Sequence, residues 1–129
     1  MTTTKIWPTL RYVDAHAAIR YLVDVLGFTE KAAYGDGDRV DHAELRWPEG
    51  GGVMLGSASR DDSAIDDLPA GVGSIYIVTD DPDAVYARVT AAGWRLTREM
   101  REEDYGSRGF TCRDPEGVHW SLGTYAGTP

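Results

Sequence analysis

Two fifteen-residue stretches constrain this chain most, because they repeat one design 66 residues apart. The first is DAHAAIRYLVDVLGF, residues 14–28; the second is DDPDAVYARVTAAGW, residues 80–94. Each carries the chemistry that starts and stops a helix. Asp14 is placed to accept a backbone N–H in the first turn. Asp81 is placed likewise in the second, with Pro82 at the first helical position, where a missing N–H costs nothing. Ile19, Leu22, Val23 and Leu26 recur at helical spacing and form one apolar stripe. Val85, Val89 and Ala92 form a thinner one, and Gly27 and Gly93 supply left-handed stops. At the offset of 66, Asp14 meets Asp80, Ile19 meets Val85, and Val23 meets Val89. Leu26 then meets Ala92, Gly27 meets Gly93, and Phe28 meets Trp94. Each helix follows a short apolar strand, TLRYV or SIYIV. The coincidence of cap, stripe and stop predicts duplication of one supersecondary unit.

After each helix the pattern changes to alternation. The first half offers TEKAAYG, VDHAELRW and GVMLGSA as strands, and the second offers RLTREM, RGFTCR and HWSLGTY. Each half is strand, helix, strand, strand, strand. The sequence predicts an α+β chain of two βαβββ modules, about 6–58 and 73–125, joined by a polar linker at 59–72. One face of each sheet must pack on its helix, and the other curls into a cup, making a cupped mixed sheet. Alternation assigns Ala43, Leu45, Trp47, Ile75, Ile77, Trp120 and Leu122 to the helix side. It turns His42, Glu44, Arg46, Ser74, Tyr76, His119 and Ser121 to the other face.

The 129 residues, 1–129, fit a single domain. Thirteen Lys and Arg against twenty-one Asp and Glu give a net charge of −8, which disfavours nucleic acid and anionic membranes as partners. One cysteine, Cys112, excludes an internal disulfide and fits a reducing cytoplasm. It reads as an inert core thiol, with no neighbouring group in sequence to activate it. The first residues, MTTTKIWP, carry no apolar signal segment, and no apolar run approaches the roughly 20 residues of a spanning helix. The expectation is a cytoplasmic protein. GDGD at 35–38 lacks the strand-to-helix context of a dinucleotide loop and is a turn. His16, in the first helical turn, is a surface residue.

The paired βαβββ modules, HAEL in the first half and RDPEGVHWSLGTY at the end resemble the glyoxalase/bleomycin-resistance/dioxygenase family, the vicinal oxygen chelate superfamily. The resemblance covers roughly residues 6–125. It implies that fold but not one reaction, because the family spans lyases, isomerases, dioxygenases and non-catalytic drug binders. In its metalloenzymes a divalent ion is held by His, Gln or Glu from each of four strands. Carried over, those positions fall at Trp7 or Pro8, Glu44, Ser74 and Ser121. Only Glu44 is a suitable ligand, since serine hydroxyls hold transition metals poorly. A shifted site of His42, Glu44 and His119 shares the inward parity, but His42 and Glu44 are splayed by roughly 7 Å along their strand. The duller alternative for them is a His–carboxylate hydrogen bond.

Glu44 itself reads equally as a ligand anchor or general base and as a structural partner of Arg46, Arg11 or Arg108. Trp7, Tyr76, Tyr105, Phe110 and Tyr125 are candidates to line a pocket for a flat ligand, with Glu44 and Arg108 as polar anchors. REEDYGSRG, 101–109, reads either as a lid or as an ordinary solvated hairpin. The candidate ligand-binding set is thus Trp7, His42, Glu44, Arg46, Ser74, Tyr76, Tyr105, Arg108, Phe110, His119 and Ser121. No metal and no cofactor is expected. The resulting expectation is a metal-free binder of a small organic molecule, with sequestration of a toxic compound implied by the drug-binding branch. The alternative is an enzyme, either metal-dependent with displaced ligands or metal-independent through Glu44. A third reading is a filled cup that serves only association. The resemblance also implies a homodimer.

Overall fold

The computed structural model describes residues 4–58 and 67–128. The chain divides into two compact units, residues 1–72 and 73–129. In the first, β1 (Thr9–Tyr12) leads into α1 (Ala15–Tyr21), a π-helical turn (Leu22–Leu26), then β2 (Thr29–Asp36), β3 (Arg39–Arg46) and β4 (Gly52–Ser57). In the second, β5 (Ser74–Val78) leads into α2 (Pro82–Ala91), β6 (Arg95–Glu102), β7 (Arg108–Arg113) and β8 (His119–Gly123). The sheets have the same order, β1-β4-β3-β2 and β5-β8-β7-β6, each with one parallel pair and two antiparallel pairs. Two βαβββ modules are therefore present. Most of the 59–72 linker lies outside the described residues, and of its end Gly71 donates its N–H to the Arg11 carbonyl.

Both helices start as their sequences dictate. The Asp14 carboxylate accepts from the Ala17 N–H at 3.0 Å, and Asp81 accepts from Ala84 at 3.1 Å beside Pro82. The repeat, however, is offset by 67 over most of its length. Asp14 corresponds to Asp81, Leu22 to Val89, and Glu44 to Thr111, with the buried Leu22 over the buried Val89. The offset of 66 holds from Gly27–Phe28 against Gly93–Trp94 into the start of the next strand, where Thr29 corresponds to Arg95. A one-residue π insertion accounts for the difference. The Phe28 N–H closes its helix on the Leu22 carbonyl six residues back, whereas Trp94 closes on Val89 five residues back. Leu22 and Leu26 are both fully buried, while Val23 is only half-buried, so Leu22 and not Val23 is the counterpart of Val89. Gly27 and Gly93 have φ of 105° and 76°, which a side chain would disfavour.

Each sheet buries one face. Leu10, Tyr12, Ala43, Leu45, Val53 and Leu55 form the first core with α1, and Ile77, Phe110, Cys112, Trp120 and Leu122 form the second with Val85 and Val89 of α2. The DPEG turn between β7 and β8 is organised by one buried carboxylate. Asp114 Oδ1 accepts from the backbone N–H of Glu116, Gly117 and Val118 at 3.0–3.1 Å, and Oδ2 accepts from Trp120 Nε1 at 3.0 Å. The turn is thereby tied to the central core ring of β8.

Candidate functional site

The open face of the second sheet consists of aligned rows that cross all four strands. The first row is Ser74, His119, Arg113 and Arg95. Two residues along, the second is Tyr76, Ser121, Thr111 and Arg98. The third is Val78, Gly123, Gly109 and Arg101. Arginines at spacing three would alternate faces in a regular strand. Register shifts in β6 between Leu96 and Arg98, and between Arg98 and Arg101, keep Arg95, Arg98 and Arg101 beside open-face partners.

A hollow of about 210 Å³ opens over the second and third rows. Tyr76, Tyr105, Ser107, Thr111, Ser121, Arg98 and Glu103 line it, and Gly109 and Gly123 leave its floor without side chains. Thr111 Oγ1 and Ser121 Oγ share a hydrogen bond at 2.8 Å. Tyr76 Oη donates to the Tyr125 carbonyl at 2.6 Å, and the Tyr125 ring meets Tyr105 edge-on at 5.4 Å. Desolvation raises the Tyr76 phenol above its ordinary pKa, against the lowering effect of hydrogen bonds to Ser107 and Tyr125. The phenol is thus a donor here. Glu103 is neutralised by Arg101 at 2.6 Å and lies 4.0 Å from Arg98. The 101–109 segment is a hairpin: β6 and β7 extend into it, and its tip closes through Glu103 N–H to Ser107 carbonyl at 2.7 Å.

Two candidates from the sequence lie on the wrong face for this hollow. Arg108, Phe110 and Cys112 share one parity in β7, the helix side. Arg108 grips Asp83 of α2 with Nε and Nη2 at 3.1 and 2.7 Å, which clasps β7 to the helix. The hydrogen bond to Arg108 holds the Asp83 carboxyl below its ordinary range. Phe110 borders the hollow, but the residue is 2% exposed and its ring packs edge-on to Tyr86 of α2. Strict alternation from core Cys112 was the signal that places both. Burial, with a smaller push from Asp114, drives the Cys112 thiol up to about 12.

The first sheet presents a different open face. Thr9, Met54, Glu44 and Ala32 form its central row. His42 and Glu44 lean together despite their strand separation, with Nε2 and Oε2 2.8 Å apart, and Tyr34 lies parallel to the His42 ring. Glu44 thus has His42 as its partner. Arg46 stacks on the Trp7 ring at 4.7 Å and donates to Thr4. A smaller hollow of about 150 Å³ lies between Thr9, Arg11, His42, Met54 and Gly56. His16 is exposed and within 3.0 Å of the Gly37 carbonyl.

The donor set does not suit a metal. Of the positions Trp7 or Pro8, Glu44, Ser74 and Ser121, only Glu44 offers a carboxylate, and that carboxylate is engaged by His42. Ser121 is engaged by Thr111. Among the described residues, no three His, Cys, Asp or Glu side chains are grouped as a metal centre requires. No described helix is long and apolar enough to cross a membrane.

The duplicated module and its open faces define a known class. Residues 6–122 match the profile of the Glyoxalase/Bleomycin resistance protein/Dioxygenase superfamily, and the chain belongs to that family. It is 30% identical over 125 residues to an uncharacterised protein of Mycobacterium bovis, covering 90% of this chain and 80% of that one. Among solved structures it is similar to TioX from Micromonospora sp. ML1, with 26% identity and a TM-score of 0.77 over 94% of this chain and 98% of TioX. An integron cassette protein from the mobile metagenome of V. cholerae, 17% identical, shares the fold with a TM-score of 0.70 over 98% of this chain and 99% of its own.

Proposed function

We propose that this protein binds a small organic molecule without a metal, and that the hollow on the open face of the second sheet is its site. One observation carries the reading. At the positions where the family's metalloenzymes hold their ion, this chain has one carboxylate, already paired with His42, and two serines. Beside one of those serines lies a hollow walled by tyrosines and hydroxyls. Its 210 Å³ is below the roughly 300 Å³ at which drug-sized pockets begin, so it suits a small ligand or one ring system of a larger one. Tyr76 and Tyr105 offer ring faces, and Thr111 and Ser121 offer hydroxyls that orient a polar edge. The two modules act as one binding domain in this proposal. Its biological setting is sequestration of a toxic or antibiotic compound by a cytoplasmic homodimer.

A thermal-shift screen of natural-product antibiotics and divalent metals tests the reading. A ligand at a hundred times its Kd adds about 2.7 kcal/mol to stability by mass action. Aromatic organic compounds should raise the melting temperature, and Ser121→Trp, which fills the hollow, should abolish the shift. Stoichiometric Zn, Ni, Mn or Fe in protein purified without chelator, lost on Glu44→Ala, would overturn the proposal in favour of metal-dependent catalysis.

A further inference from the structure

We infer that the first row of the second sheet receives an anionic group, so that the ligand is a small organic acid carrying a carboxylate or a phosphate. This deepens the binding proposal and rests on it. Arg113 stands directly opposite Arg95 on one side and His119 on the other, with Ser74 beyond. Like charges in such cross-strand pairs destabilise a sheet. The chain has twenty-one acidic residues against thirteen basic ones, yet among the described residues no carboxylate pairs with Arg95, Arg113 or His119. Among the described residues the Arg113 side chain makes one hydrogen bond, from Nε to the Gly117 carbonyl, leaving its Nη groups to an incoming acceptor.

The first module shows what a satisfied version of this position looks like. Arg46, the counterpart of Arg113, is covered by the Trp7 ring and stands opposite Thr29. In the second module the ring is replaced by Ser74 and the threonine by Arg95. Two local choices therefore strip the arginine of its cover and add a second positive charge beside it. Such a breach of local consistency marks a functional place when something binds there. The row lies about 7 Å from the second row along the strands, so a ligand ring in the hollow places an attached acid group over Arg113. Guanidinium groups bind carboxylate and phosphate oxygens in pairs, which suits both acids. The net charge of −8 favours a small acid over nucleic acid as the occupant.

Titration calorimetry with benzoate, phenyl phosphate and neutral benzamide tests the inference on the full chain. Either acid should bind at least tenfold tighter than benzamide, and the stronger of the two identifies the group. The double substitution Arg95→Gln and Arg113→Gln should remove that preference and leave benzamide binding unchanged. Arg95→Gln alone, at an exposed position, should weaken acid binding severalfold even where the double variant fails to fold. Equal binding of benzoate and benzamide, indifferent to Arg95→Gln, overturns the inference and leaves the hollow intact as a site. Inorganic phosphate that perturbs the Arg113 and His119 nuclear magnetic resonance signals, with no aromatic probe binding, supports the row and defeats the hollow. Salt-sensitive binding of poly(U) with no response to either acid assigns the row to nucleic acid and overturns the inference.

Discussion

Removing the Asp114 carboxylate should unfold the second module far more readily than its place in a turn suggests. Asp114 is 4% exposed and accepts from three backbone amides and from Trp120 Nε1. Trp120 is fully buried, so its indole N–H has no route to water once the carboxylate is gone. An orphaned buried donor costs about 1–3 kcal/mol. Loss of charge-assisted bonds to the Glu116 and Val118 amides adds about 1–2 kcal/mol, discounted because a fraying turn lets water in. Asp114→Ala should therefore cost about 3–4 kcal/mol, a drop of roughly 10–15 °C in Tm for a chain of this length. Asp114→Asn keeps one acceptor oxygen for the amides but turns an NH2 group toward the indole N–H, and should cost about half as much. Trp120→Phe combined with Asp114→Asn should cost less than the sum of the two, by about 1–2 kcal/mol, because the opposed donors are gone. Urea denaturation of the four proteins measures this cycle. A loss below about 1 kcal/mol for Asp114→Ala, or strict additivity in the cycle, would refute the assignment of Asp114 as the keystone of the turn.

Other expectations follow from single groups. Cys112, its thiol pushed up to about 12 by burial, should resist iodoacetamide at pH 8 in the native protein and react at once in urea; fast native labelling counts against that burial. Asp83 has its carboxyl lowered by Arg108, so its stabilisation is present above the ordinary carboxylate range and is lost as pH falls through the lowered value. The small Tm gap between wild type and Asp83→Asn should thus be present at neutral pH and close in strong acid; a gap that widens on acidification contradicts the clasp. Gly109→Ala would place a Cβ 2.5 Å from the Leu122 carbonyl oxygen, and should cost about 1–3 kcal/mol as the two strands are forced apart. An unchanged Tm for that variant would mean that β7 and β8 are not so closely registered.

Local signals determined much of this protein. Caps at Asp14 and Asp81, stops at Gly27 and Gly93, and alternation in VDHAELRW and HWSLGTY gave the element order and the buried face of each strand. These depend on neighbours within one or two turns, which a sequence displays directly. That Ser74 and Ser121 are poor ligands for a transition metal was equally visible, because ligand chemistry belongs to the side chain itself. What only the tertiary structure decided was register. The π insertion after α1 moves the repeat offset from 67 to 66, and the bulges of β6 set Arg95, Arg98 and Arg101 beside open-face partners. Charge and ring content alone did not reveal that Arg108 and Phe110 pair with α2. One residue inserted or slipped turns side chains to the opposite face at little local cost, and the winning alternative is set by packing against distant strands.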